Sequence, residues 1–143
     1  MTEPLPAPLW SNAADLCRGL QQGTITATAV MDNVYARIEA LNPVLNALVS
    51  LIPKEQAMTL AAAADAVPIA QRGLLHGIPM APKDAVAVRG FSTSWGYANF
   101  ADAIEEQDDE LARRLREAGA IFIGHSNMSE FGLGSHTFNR LYG

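Results

Sequence analysis

The stretch 108–124, DDELARRLREAGAIFIG, limits the fold more than any other part of the chain. Acidic residues open it, arginines follow, and Gly119 stands near its end. That charge order suits a helix dipole and a glycine stop. Residues 120–124 then carry no alternation of polar and apolar side chains. A strand that is apolar on both sides has to be covered on both faces. The order helix, tight turn, apolar strand is that of an α/β crossover, which implies a parallel strand nearby. Residues 78–88, IPMAPKDAVAV, are short, apolar and edged by prolines. Pro79 and Pro82 cannot donate backbone hydrogen bonds, so this strand is expected to be irregular or interrupted.

Three helices are expected ahead of that core. Ser11 would cap the first, with Leu16 and Leu20 at helical spacing and Gly23 as its stop. Thr26 would start the second. Its apolar stripe is Val30, Val34, Ile38 and Leu41, and Asn42-Pro43 would end it. Pro53 can open a third through the alanine-rich KEQAMTLAAAADA. Residues 67–77 read as loop and 89–100 as turn-rich. Residues 126–143 begin with a capping pattern, Ser126 or Asn127 before a helical turn holding Ser129 and Glu130, and end in glycine-rich loop. The chain has no internal repeat.

One strand, one interrupted strand and several helices do not close a sheet. Residues 1–143 are therefore expected to be a single partial α/β domain. Its helical part would cover 11–66, and the start of its α/β core 74–143. The alternative is a small helical domain with a two-stranded edge. The strand at 120–124 is expected to expose an unpaired edge and to promote self-association.

The chain of 143 residues carries a net charge of −5 and a pI near 5.0. Nucleic acids and anionic membranes are bound through clustered Lys and Arg, so neither is an expected direct partner. The single Cys17 cannot form an internal disulfide. It fits a reducing compartment, the cytoplasm, as a buried structural thiol. The N-terminal MTEPLPAPLW has neither the basic nor the apolar region of a signal peptide. Apolar runs such as 58–64 fall well short of the roughly 20 residues that span a bilayer. His76, His125 and His136 are too dispersed for a zinc site, and no metal or cofactor is expected. EEQDDE at 105–110 reads as a solvated helix start. GLGSHT has neither the spacing nor the preceding strand of a phosphate loop.

Lys83 is the one charged amine within the apolar stretch 78–88. A lysine there can snorkel to solvent or pair with a carboxylate. If buried among Ile78, Met80, Ala81, Ala85 and Val86, its charged form would be penalised. Its pKa would then fall from near 10.4 toward the range of a useful base. Asp84 points to the opposite face of an extended segment, so it is expected to orient the loop rather than pair with Lys83. His76 is expected to be a structural hydrogen bonder, and Glu130 a capping or hydrogen-bonding carboxylate.

Three stretches carry a resemblance in order: NPVLNALVS at 42–50, LLHGIPMAPKDAVAVRGFSTSWG at 74–96, and LARRLREAGAIFIGHSNMSEFGLGSHTFNRLYG at 111–143. Together they resemble the amidase signature family, which hydrolyses or transfers amides with a serine, a cis-peptide serine and a lysine. The resemblance implies a mixed-sheet α/β fold of which this chain holds the N-terminal helices and first strands. It implies that Lys83 is the catalytic lysine. It also implies that Phe131, Gly132, Leu133 and Gly134 line the acyl side of the substrate pocket. A glycine-flanked serine pair is expected beyond this region, because none of the seven serines here stands in such a setting. The 143 residues alone are thus expected to be inactive.

Two positions depart from the common pattern of the family. His125 stands where many members have lysine, and Trp95 where a small residue is usual. The implied partner is a small amide substrate, and a homo-oligomer is compatible with the family. Two other functions stay open: a non-catalytic interaction module, and one component of an amidotransferase acting on misacylated tRNA with a partner chain.

Overall fold

The computed structural model describes residues 12–143. Its elements are α1 (Ala13–Gln22), α2 (Ala27–Leu45), β1 (Leu48–Val49), α3 (Lys54–Asp65), β2 (Pro79–Met80), α4 (Glu110–Glu117), β3 (Ile121–Phe122) and β4 (His125–Ser126). Short 3-10 turns lie at Ile69–Gln71, Ala98–Phe100 and Glu130–Gly132.

Residues 121–127 are the axis. Along one edge β3 runs parallel to β2, with Pro79 opposite Ile121 and Met80 opposite Phe122. The N–H groups of Ile121 and Ile123 donate to the carbonyls of Ile78 and Met80 at 2.8 and 2.9 Å. In a regular parallel ladder the N–H of residue 82 would come next, aimed at the Ile123 carbonyl. Pro82 has no N–H. That carbonyl instead accepts from the Ile52 N–H at 2.9 Å, on the opposite edge. Here the chain passes to an antiparallel neighbour: β4 pairs with β1, Leu48 opposite Ser126 and Val49 opposite His125. The parallel contact then resumes. Ser126 N–H donates to the Pro82 carbonyl at 2.8 Å, and Asp84 N–H to the Ser126 carbonyl at 3.1 Å.

The parallel partner and the interruption at the prolines are both as expected. The unpaired edge is not: residues 47–52 cover it, and Asn127 N–H adds a bond to the Ala47 carbonyl at 2.8 Å. Side chains alternate across the axis. Ile121 and Ile123 pack among Leu16, Leu20, Val30, Met31, Ala57 and Ala61 of the three helices. Phe122 faces the other way, against Val88 and Ala112. The architecture is α/β: a parallel and an antiparallel two-stranded sheet follow one another along residues 121–127, with three helices packed on one side and α4 on the other.

The helix ends differ from expectation in two places. Ser11 lies outside the described residues, and the side chain of Asn12 caps α1 by accepting from the Asp15 N–H at 2.9 Å. The second helix does not stop at Asn42-Pro43. It runs to Leu45 with Pro43 inside, and Asn46 ends it in a left-handed conformation. Proline in a last turn forfeits one donor, and Glu39, whose carbonyl loses that bond, is exposed to water. Gly23, Thr26 and Pro53 act where expected, as stop, cap and opener. Cys17 is half-buried rather than buried.

Two side chains tie the helices together. Asp65, at the end of α3, accepts from the N–H groups of Ala27 and Thr28 at 2.6 and 3.1 Å and from the Thr28 hydroxyl at 2.8 Å. A carboxylate there satisfies orphan donors at the N-terminus of α2 and complements its dipole. The Arg72 guanidinium donates to the carbonyls of Leu20, Asp65 and Val67, at 2.6, 3.2 and 3.1 Å. It thereby serves the C-terminal ends of α1 and α3 at once.

Two buried histidines are held neutral. The His76 Nε2–H donates to the Ala64 carbonyl at 3.0 Å, the structural role expected of it. The His125 Nε2–H donates to the Val86 carbonyl at 3.1 Å. Burial pushes both pKa values below the ordinary histidine value, and for His125 this outweighs the opposing pull of Asp84.

Asp65→Ala is expected to destabilise the chain by about 1–2 kcal/mol, and Asp65→Asn by less, in urea unfolding followed by circular dichroism. Equal midpoints for all three proteins would contradict the capping role. Stability should also fall with acid. The unfolded chain takes up protons on its histidines near pH 6.5, while the folded chain does so only at lower pH. The urea midpoint should therefore drop between pH 7.5 and 5.5, and His125→Gln should show a shallower drop.

Candidate active site

Asp84, not Lys83, is the buried charge of the 78–88 segment. Asp84 has no exposed surface, whereas Lys83 is exposed. The expectation that Lys83 is buried among Ile78, Met80, Ala81, Ala85 and Val86 is thus corrected. Adjacent residues of extended chain face opposite ways, and the inward direction belongs to Asp84. The Lys83 backbone is nevertheless rigidly mounted, bridged to Ser126 in parallel fashion. Among the described residues no carboxylate forms an ion pair with Lys83.

The Asp84 carboxylate sits under a turn. It accepts from the Ser94 N–H at 2.9 Å, the Gly96 N–H at 3.2 Å and the Ser94 hydroxyl. Its backbone carbonyl accepts from the Trp95 N–H at 3.0 Å. Trp95 itself has a left-handed backbone, φ 54°, and its carbonyl accepts from the Phe131 N–H at 2.8 Å. His125 lies behind, fully buried, its Nδ1 3.9 Å from the Asp84 carboxylate and without a hydrogen-bond partner. Phe91 meets its ring edge-on at 5.7 Å. His125 is therefore part of the support beneath the turn, with no access to the open face.

Residues 129–134 form the adjoining wall. The helix expected after Ser126 or Asn127 is absent: Ser126 belongs to β4, and only a 3-10 turn at Glu130–Gly132 forms, without a side-chain cap. The backbone of Ser126 is engaged in strand pairing on both sides, so it is not free to start a helix. Phe131 takes a left-handed φ of 53°, and its ring contacts Tyr97 and Phe100 at centroid distances of 5.1 and 6.3 Å. Gly132 lies near the amine: a Cβ on it would stand 3.8 Å from Lys83 Nζ. Phe131, Leu133 and Gly134 line an open cleft of about 460 Å³ together with His136, Phe138 and Arg140. The five residues singled out from the sequence thus gather at one place, with Gly132 beside the amine and the others along the cleft.

Asn139 fixes the far end of this loop and was not singled out from the sequence. It is 5% exposed. Its Nδ2 donates to the Asn127 Oδ1 and the Met128 carbonyl, both at 2.8 Å. Its Oδ1 accepts from the N–H groups of Leu141 and Tyr142 at 2.9 and 2.7 Å. An asparagine in a glycine-rich loop carries no periodic signal, so only its fourfold bonding reveals it. Among the described residues no cluster of histidine, cysteine and carboxylate side chains could hold a metal, and no helix is long and apolar enough to cross a membrane.

Comparison with known proteins supplies the context for this arrangement. The Amidase family model matches residues 29–143. The A subunit of the glutamyl-tRNA(Gln) amidotransferase of Syntrophus aciditrophicus is 35% identical over 130 residues, covering 90% of this chain and 27% of that protein. Its counterpart in Coxiella burnetii strain RSA 493 is 37% identical over 131 residues, at 91% and 27% coverage. The crystal structure of the peptide amidase from Stenotrophomonas maltophilia superposes with a TM-score of 0.77 at 34% identity, covering 90% of this chain and 26% of that one. The chain therefore spans about a quarter of the length of the relatives it matches. With an ordered motif set, a mixed α/β scaffold and a match over most of its length, the chain belongs to the amidase family.

Proposed function

We propose that this chain is the lysine-bearing part of an amidase that cleaves a linear carbon–nitrogen amide bond, with Lys83 as its base. The observation that carries this reading is the placement of the exposed Lys83 amine, which forms no ion pair among the described residues, next to Gly132 in the loop whose neighbouring residues line the cleft. Amide cleavage needs a nucleophile, a base and donors for the oxyanion. Lys83 supplies the base. A bridging serine and a nucleophilic serine, from sequence outside residues 1–143, supply the rest of the triad. The proton passes from the nucleophile through the bridging serine to Lys83. That same sequence would cover the exposed face and withdraw water from the amine. Phe131, Gly132, Leu133 and Gly134 would hold the acyl part of a small-molecule substrate. The single cysteine fits the reducing cytoplasm.

A second reading has direct support in the relatives. Two of them are A subunits of an amidotransferase, at 35% and 37% identity. In that case the protein would work with other chains, and its charge of −5 leaves contact with tRNA to a partner.

In the full-length protein, Lys83→Ala should lower kcat on simple amides by about 10²–10⁴-fold while the protein stays folded. Turnover at the unmodified rate would remove Lys83 as the base. The 143-residue chain alone should release no product from the same amides. Activity of the full-length protein that appears only after adding a partner chain would favour the amidotransferase reading.

A further inference from the structure

We propose that Asp84 is a positioning residue that holds the Phe131–Gly132 wall of the cleft at a fixed distance from the Lys83 amine. The proposal rests on the reading of Lys83 as the base. Its basis is a continuous path of hydrogen bonds from Asp84 to Phe131, which ends next to the Lys83 amine. Asp84 follows Lys83 directly in the chain, and its backbone N–H is bonded to Ser126 at 3.1 Å, which fixes where the two residues stand. Its carboxylate takes the N–H groups on either side of Trp95, those of Ser94 and Gly96, and the Ser94 hydroxyl as well. Trp95 is thus held at both flanks and through its own N–H. Its left-handed backbone turns the carbonyl outward to the Phe131 N–H, at 2.8 Å. Phe131 leads into Gly132, where an added Cβ would stand 3.8 Å from the Lys83 Nζ.

A carboxylate is the group this turn requires. All three of its partners are donors, and a carboxylate accepts at both oxygens. An amide of the same shape accepts at one oxygen only and brings two N–H groups against donors. A left-handed tryptophan is strained on its own, and such a conformation persists only where its surroundings impose it. Without the carboxylate the turn relaxes, and the Trp95 carbonyl that seats Phe131 moves with it. Two observations set Asp84 apart from an ordinary buried acid. Its bonds converge on a single turn, and that turn's outward contact is with the cleft wall rather than with the core.

The test uses the full-length protein with purified Asp84→Asn and Ser94→Ala variants, assayed on a simple amide at a temperature where each is folded by circular dichroism. Displacing a positioned wall by a fraction of an ångström should lower kcat by about 10–100-fold in Asp84→Asn and raise KM. Ser94→Ala, which keeps two of the three donors, should fall between this variant and the parent. It also serves as the measurement if Asp84→Asn does not fold. In a Trp10→Phe background the emission of Trp95 should shift on Asp84→Asn. A lower thermal midpoint with unchanged kcat and KM, in whichever of the two variants folds, would overturn the proposal and leave Asp84 as a structural acid. Lys83→Ala is run alongside. If it abolishes turnover while the Asp84 and Ser94 variants match the parent, only this inference fails. If it leaves turnover intact, the reading of Lys83 fails and takes this inference with it.

Discussion

Residues 121–127 are bonded on both edges and packed on both faces, and everything else takes its place from them. The pivot is the Ile123 carbonyl. A proline across the parallel edge makes no demand on it, so it turns to Ile52. From that point the chain serves the antiparallel partner, and the parallel contact returns one residue out of step. The offset matters chemically. It brings Lys83 opposite Ser126, beside the start of the segment that leads to Phe131 and Gly132. The proline at 82 that interrupts a strand thus also decides where its lysine sits.

Charge is distributed by the same logic. The interior accepts Asp84 because three donors converge on its oxygens, and it accepts His76 and His125 in their neutral forms. The remaining ionic contacts lie mostly at the surface. Arg113 bridges Glu110 and Glu117 along α4, where such pairs contribute little. Asp108 is the firmer case. It is 11% exposed at its side chain, takes two bonds from Arg116 and one from the Arg89 N–H, and these hold its carboxyl below the usual carboxylate range. Of the acidic run at 105–110 only Asp109, the cap of α4, and Glu110 belong to the helix start, while Asp108 is half-buried and paired with Arg116 rather than solvated.

Some of this is legible in the sequence and some is not. The apolar run after Gly119 and the prolines at 79 and 82 carry the parallel pairing, because backbone rules act locally. The antiparallel edge leaves no such mark, since β1 is two residues long and has no alternation to display. Pro43 misleads because a helix tolerates proline in its last turn when the freed carbonyl meets water. Lys83 stands out by its motif, but the burial expected of it belongs to its neighbour. The alternation that sends Asp84 inward is available from the sequence, whereas the donors that make its burial tolerable come from residues 94–96, ten positions away. Asn139 is invisible for the same reason: its partners at Asn127 and Met128 are neighbours only after folding.

The loop between Gly132 and Asn139 has fixed feet and a free interior. One foot is seated by Trp95 and the other by Asn139, while residues 133–138 are all exposed and belong to neither core cluster. Side chains there can be exchanged with little loss to folding, because no buried contact is removed. Shape at the cleft and stability of the scaffold are thereby uncoupled. Sequence change at Leu133, His136 or Phe138 therefore leaves the packing of the described scaffold untouched.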